Sequence, residues 1–269
     1  MIESLTLDSE YYPPLLRHIQ NPPLVLYVRG NKEVLTKDCL SVVGTRRHTD
    51  YGKRSVQDLV GPMARAGFAI VSGLALGIDA LAHQTALDEH APTIAVLGSG
   101  LSDAVMYPPQ NRKLAKRILD EGGAVISEFP ADQRAQLWTF PQRNRIISGM
   151  SKGVLVIEGD MKSGTMITAR EAADQGRDVF AVPGPIYASK SQGTNYLIQK
   201  GAKLVTCSQD ILEAYGIFES PDVKILPSND QELAILSALA EEPLTMDELI
   251  RATKLETSLI ASTSTIMEI

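Results

Sequence analysis

Between Phe140 and Thr165 the sequence FPQRNRIISGMSKGVLVIEGDMKSGT gathers residue types suited to holding phosphates and bases. Phe140 offers a flat face on which a base can stack. Arg143 and Arg145 flank Asn144, and each offers a fixed fork of donors. The apolar run Gly153–Glu158 reads as a fully buried parallel strand. Lys162-Ser163-Gly164-Thr165 falls where the next helix should begin, so its backbone N–H groups lie beside a helix N-terminus, a place that favours anions. The turn is not a Walker A loop, because G-x-x-x-x-G-K-[ST] is missing. An arginine pair at i, i+2 does not share one helix face. One arginine is therefore expected to face a ligand while the other serves structure through Glu128 or Glu158.

Three further loops carry matching chemistry. Gly44-Thr45-Arg46-Arg47 sets a hydroxyl and two guanidinium groups after an apolar run, which suits a phosphate oxygen or a solvated helix start. Only one glycine stands there, so the dinucleotide fingerprint G-x-G-x-x-G is absent. Ser72-Gly73 opens a turn that closes at Gly77, and Asp79 follows, either as a first-turn carboxylate or as a ligand group. Gly98 and Gly100 open a long loop toward Tyr107, which could stack on a base or cap the core. His83 lies on an apolar helix and reads as a packed histidine. No nucleophile–base–acid set, paired carboxylates or metal-ligand cluster emerges, so neither an enzyme, a cofactor nor a metal site is expected.

The elements that must position these loops alternate. LSVVG (40–44), FAIVSG (68–73), TIAVLG (93–98), AVISE (124–128), GVLVIEG (153–159) and DVFAVPG (178–184) are short, apolar and β-branched. Helical stretches such as 77–90 and 112–122 separate them, and KLVT (203–206) adds a further strand. Strands alternating with helices imply βαβ units and a parallel sheet covered on both faces. The expected fold is therefore α/β, a doubly wound, mostly parallel Rossmann-like sheet over residues 39–218. The glycines fall at C-terminal strand ends, the edge where open parallel sheets bind ligands. Residues 1–38, with proline pairs at 13–14 and 22–23, read as a short helical lead-in followed by an edge strand at Leu24–Arg29.

Beyond Phe218, residues 219–229 read as a linker and 230–269 as three short helices, the second opened by the capping box Thr245–Glu248. The pattern resembles a winged-helix start, and since no β-wing follows, a partial module is expected. Its third helix carries Ser, Thr and apolar residues where a DNA-reading helix would carry Arg or Lys, so an acidic accessory or protein-contact module is expected. Charge supports this division: residues 1–205 hold 23 Lys/Arg against 20 Asp/Glu, and residues 206–269 hold 3 against 12. The larger part is free to bind an anion, although the whole chain has net charge −6. No run approaches the about 18 apolar residues of a membrane span, and MIESLTLDSE has no signal-peptide pattern. Cys39 and Cys207 read as reduced, structural thiols of a cytoplasmic protein.

The ordered set VVGTR, VSGLALGIDALAH, TIAVLGSGL, YPPQN, ISEFP, FPQRNRIISGMS, VIEGDMKSGTMITA, GRDVFAVPG and GTNYLIQKGAKLV closely resembles the DprA (Smf) family, over roughly residues 5–215. The resemblance implies a Rossmann-like protein without enzymatic activity that binds single-stranded DNA. It further implies protection of incoming strands in natural transformation, loading of RecA recombinase onto them, and action as a homodimer. The family's motif arginine falls on Arg46, its F-P-x-R-N-R segment on Phe140, Pro141, Arg143, Asn144 and Arg145, and its S-G-[ST] turn on Ser163, Gly164 and Thr165. This chain has Pro109 and Gln110, and Gln136, Leu137 and Trp138, where many relatives carry basic residues, which shifts weight to stacking by Trp138 and Phe140. The competing expectation is a nucleoside-monophosphate hydrolase of the lysine-decarboxylase-like (LOG) group. It is weakened because Lys162–Thr165 precedes Glu171 without that group's double glycine.

Overall fold

The strand-forming runs assemble into one nine-stranded sheet: β1 (Ile2–Thr6), β2 (Val25–Gly30), β3 (Cys39–Gly44), β4 (Ala69–Ser72), β5 (Thr93–Val96), β6 (Ala124–Ser127), β7 (Gly153–Ile157), β8 (Asp178–Ala181) and β9 (Lys203–Leu204). The structure is a computed structural model and describes residues 1–218, 229–239 and 244–267. The helices are α1 (Asp50–Arg65), α2 (Ile78–Asp88), α3 (Arg112–Asp120), α4 (Thr139–Met150), α5 (Gly164–Asp174), α6 (Gln192–Gln199), α7 (Gln209–Leu212), α8 (Asp230–Leu239), α9 (Met246–Thr253) and α10 (Thr257–Met267). The chain divides into two compact units, 1–218 and 219–269. The expected linker lies outside the described residues apart from Asn229.

The sheet order is β1-β2-β6-β5-β4-β3-β7-β8-β9, with β3 to β9 parallel and β1 and β2 antiparallel. After β3 the chain adds β4, β5 and β6 on one side, then returns to lay β7 against β3 on the other. The reversal point is therefore the β3–β7 pair, in register from Leu40↔Gly153 to Gly44↔Ile157. Alternation along each strand splits the core between two faces. Val43, Val154 and Val156 pack with Ile146, Ile147 and Met150 of α4 and Ala169 and Ala172 of α5. Val42, Leu155 and Ile157 pack on the opposite face with Val56, Leu59 and Met63 of α1 and Ile78 and Ala82 of α2. In the second unit, Ile235, Leu249 and Ile260 form a small core among α8, α9 and α10.

The lead-in differs from the expectation. β2 lies inside the sheet, between β1 and β6, and the edge is β1, formed by residues read as the start of a helical segment. Only Leu5 of β1 is buried, so no apolar alternation announced it. Residues 1–38 belong to the same compact unit as the rest of the sheet. Tyr12 is fully buried and its hydroxyl donates to the Pro23 carbonyl at 2.7 Å. Arg177 donates to the Leu15 carbonyl at 2.9 Å. Cys39 is buried in β3 as expected, whereas Cys207 is exposed and takes no part in the core. No described helix is long and apolar enough to cross a membrane.

These ties make the lead-in a measurable part of the fold. Tyr12→Phe leaves the Pro23 carbonyl buried without a donor and should cost about 1–3 kcal/mol. Tyr12→Ala adds a cavity and should cost about 3–5 kcal/mol. Urea unfolding of the two variants beside the wild type checks the size and the order of the losses.

Candidate nucleic-acid interface

A crevice of about 410 Å³ opens over the C-terminal ends of β3 and β7. Its position is the one at which an open sheet whose strand order reverses leaves room for a ligand. Gly44, Thr45 and Arg46 line it from the end of β3, and Asp160, Ser163, Gly164 and Thr165 from the turn into α5. Phe140, Arg143, Asn144 and Ile147 line it from α4. Those four stand at i, i+3, i+4 and i+7, the stripe one helix face presents. The sequence carried that signal, and Arg145 falls outside it.

Arg46 is held outward by its neighbours. The Thr45 N–H donates to the Glu158 carbonyl at 2.8 Å, and the Thr45 carbonyl accepts from Ile78 N–H at 3.2 Å. Gly77, with φ +83°, lets this segment lie against the start of α2, because a Cβ there would stand 2.3 Å from the Thr45 carbonyl oxygen. The Glu158 carboxylate accepts from both the amide and the hydroxyl of Thr49, the N-cap residue of α1. Glu158 therefore serves the α1 cap rather than an arginine. The Arg46 guanidinium sits over the Phe140 ring, 5.7 Å from its centroid, and among the described residues it has no carboxylate partner. Tyr107 also packs against Phe140, with centroids 5.6 Å apart and planes at 54°. A smaller recess beyond Phe140 is lined by Gly73, Gly98, Tyr107 and Arg143.

The α5 end of the crevice is a built turn. Ser163 caps α5 by accepting from Thr165 N–H at 3.1 Å. Asp160 accepts from Lys162 N–H at 2.8 Å. This aspartate was not among the expected site residues, although a short Asp two positions before Lys162 is the sequence mark of such a turn. It brings a carboxylate to a crevice otherwise equipped for anions.

Several expected residues lie elsewhere. Arg145 pairs with Glu128 and donates to the Asn21 carbonyl at 2.7 Å, so it ties α4 to β6 and the lead-in. Burial pushes the Glu128 carboxyl up while Arg145 pulls it down. Ser72 is fully buried and donates to the Val42 carbonyl at 2.6 Å. Gly100 packs directly against the Pro130 and Ala131 carbonyls. Trp138 stands edge-on to Phe129 with its Nε1 donating to Gln136, and about half of it is exposed beside the crevice rather than in its lining. Arg47 and Lys162 are exposed and also stand outside the lining. Arg143 does reach the crevice, but it is 95 % buried and donates to the Gly73 and Val96 carbonyls. Burial pushes its guanidinium down to about 10, so it stays charged at neutral pH. Glu171, the glutamate a hydrolase would need, does not line the crevice.

The family model described as DNA recombination-mediator protein A matches residues 3–216. The chain belongs to that family. A second model, the DprA winged helix domain, matches residues 219–269, in keeping with the three helices of the second unit. Among members of the DNA recombination-mediator protein A family, Protein Smf of Escherichia coli is 46% identical over 217 residues, 80% of this chain. The chain spans 58% of the length of that relative. The crystal structure of DNA processing protein A from Streptococcus pneumoniae superposes with a TM-score of 0.74 at 40% identity, covering 79% of this chain and 74% of that one. The DNA processing protein A of Helicobacter pylori, whose structure describes a single-stranded DNA binding mode, gives 0.71 at 31% identity over 80% and 95% of the two chains.

His83 is the buried titratable group behind this interface. Its Nδ1 meets the Thr93 hydroxyl at 2.7 Å. Burial first, then the Arg143 charge, pushes its pKa from 6.5 down to about 3. The native protein therefore declines a proton that the unfolded chain accepts below pH 6.5. Stability is full above that pH and falls as pH drops toward 3, by about 1.4 kcal/mol per pH unit for this one group. Urea unfolding between pH 6.5 and 5 should show that decline in the wild type and a flatter profile in His83→Gln.

Proposed function

We propose that the unit of residues 1–218 binds single-stranded DNA in the crevice over β3 and β7 and acts as a recombination mediator. The observation that carries this reading is Arg46 lying over Phe140 at the mouth of that crevice, a cation on an aromatic face that meets no carboxylate among the described residues. Phosphates are held by Arg46, with Arg47 and Lys162 beside it, and by the amides that open α5. Gly44, Thr45, Asn144, Ser163, Gly164 and Thr165 shape the phosphate path. One base stacks on Phe140, and Tyr107 and Trp138 extend the apolar surface around it. Stacking of this kind tolerates any base. The binding mode described for the Helicobacter pylori relative supports the choice of a single strand.

On this reading the protein is a binding protein rather than an enzyme. It protects incoming strands and helps load RecA recombinase in the cytoplasm during natural transformation. It acts as a homodimer, supported by the large exposed side chains Ile186, Tyr187 and Leu204 near the β9 edge. The second unit, whose third helix carries hydroxyl and apolar side chains, is an acidic protein-contact module.

Fluorescence anisotropy of labelled oligo-dT across a salt series tests the reading. Wild-type affinity should fall steeply with salt, and duplex DNA of equal length should compete poorly. Arg46→Ala should weaken binding and flatten the logarithmic salt slope by about 0.7, the share of one phosphate on a single strand. Phe140→Ala should lose about 1–3 kcal/mol with the slope unchanged. Absence of oligo-dT binding at low salt would overturn the proposal, and release of free base from a nucleoside monophosphate would establish the hydrolase instead.

A further inference from the structure

We infer that Asp79 and Arg143 are positioning residues that clamp Gly73 through the peptides on either side of it, and that this clamp makes the sheet edge fit for an anion. The inference rests on the single-stranded DNA reading above. The Gly73 N–H donates to Asp79 Oδ2 at 3.0 Å, and the Gly73 carbonyl accepts from Arg143 Nη1 at 2.7 Å. Asp79 comes from α2 on one face of the sheet and Arg143 from α4 on the other. They meet over the ends of β4 and β5, each less than a tenth exposed.

Two consequences follow from the geometry. At the C-terminal edge of a parallel sheet the last carbonyl oxygens point outward and repel a phosphate. Arg143 occupies two of them, Gly73 and Val96, and so removes acceptors that would oppose the ligand. The same clamp fixes the start of the turn that ends at Gly77, where the Cα of Arg46 lies 2.8 Å from the place a Cβ would take. Position thus passes from Asp79 and Arg143 through the 73–77 turn to the exposed guanidinium of Arg46. Gly73 must lack a side chain, since a Cβ there would stand 2.2 Å from Arg143 Nη1. The Asp79 carboxylate borders the crevice, but it is committed to the Gly73 amide. Burial raises its pKa, Arg143 and the Gly73 amide lower it, and its bonds point into the fold.

Asp79→Asn separates this role from simple electrostatics. Taking a carboxylate away from a polyanion site should tighten binding if charge alone matters. The clamp requires the reverse, a loss of about tenfold or more in oligo-dT affinity, with the salt slope kept because no phosphate contact is lost. Gly73→Ala, which changes no charge, should lose affinity to a similar extent, whereas Arg46→Ala changes the slope. Amide hydrogen exchange of the DNA-free protein reads the clamp independently: residues 73–77 should exchange faster in Asp79→Asn while the central strands stay protected. Tighter or unchanged binding in a folded Asp79→Asn protein, or unchanged exchange of 73–77, overturns the inference. Wild type that fails to bind oligo-dT, with accelerated exchange in the variant, overturns the DNA reading and leaves the clamp standing. Should Asp79→Asn fail to fold, Arg143→Lys carries the same expectations, because a lysine keeps the charge but lacks the rigid planar fork that fixes Nη1 between the Gly73 and Val96 carbonyls.

Discussion

Laying β7 against β3, after three strands have been added on the other side, leaves a gap that no helix of the fold can cover. α1 leaves β3 toward one face and α5 leaves β7 toward the other, so their first turns diverge above the pair. Everything that defines the interface follows from that divergence. The end of β3 stays open enough to expose Arg46, and the turn into α5 brings its first amides to the gap. α4, which enters β7 from the other end, sends Phe140, Arg143, Asn144 and Ile147 into it, and α5 adds Thr165, Ile167 and Thr168. The crevice is thus a property of strand order before it is a property of any side chain.

Charge within the first unit is distributed to match. Lys32, Arg65, Lys152 and Lys203 each close on a carboxylate at 2.9 Å or less. Arg145 closes on Glu128, and Arg117 on both Asp88 and Glu121. Most of these pairs are partly exposed and contribute little stability. Arg46, Arg47 and Lys162 take part in none of these pairs, while Asp160 brings a carboxylate to the crevice. A whole-chain net charge of −6 is compatible with anion binding because the acidic excess lies beyond residue 205.

The parallel strands, their glycine ends and the edge that carries the site were all legible in the sequence, because buried β-branched runs and helix-period stretches differ clearly in pattern. The first strand was hidden for the opposite reason: IESLT turns one residue inward, and its pairing with β2 depends on a partner more than 20 residues away. At the crevice, residue types pointed to the loops that line it but not to the direction each side chain takes. Arg143 and Arg145 look equivalent in sequence, yet the helical stripe through Phe140 and Ile147 turns one into the crevice and the other toward Glu128. Sequence chemistry favoured arginine as a ligand group. In Arg143, backbone carbonyls of neighbouring strands took the donors first. Asp160 escaped notice because a lone acidic residue argues against a turn whose residue types read as suited to phosphate.

The pairing of β2 with β6 has a consequence for how the chain matures on the ribosome. Val25–Gly30 pair with β1 on one side and find their other neighbour only in Ala124–Ser127, and β3 finds one of its two neighbours only in β7. This segment therefore leaves the exit tunnel ahead of most of its partners, with apolar residues such as Tyr12, Leu16, Leu26 and Val28 lacking the later strands and helices that bury them. Such long-range pairings are slow to form and leave strand edges open while synthesis continues. The proline pairs at 13–14 and 22–23 acquire a second meaning in that interval. By interrupting regular structure between β1 and β2, they shorten the stretch that could pair with a wrong edge before the right one has been made.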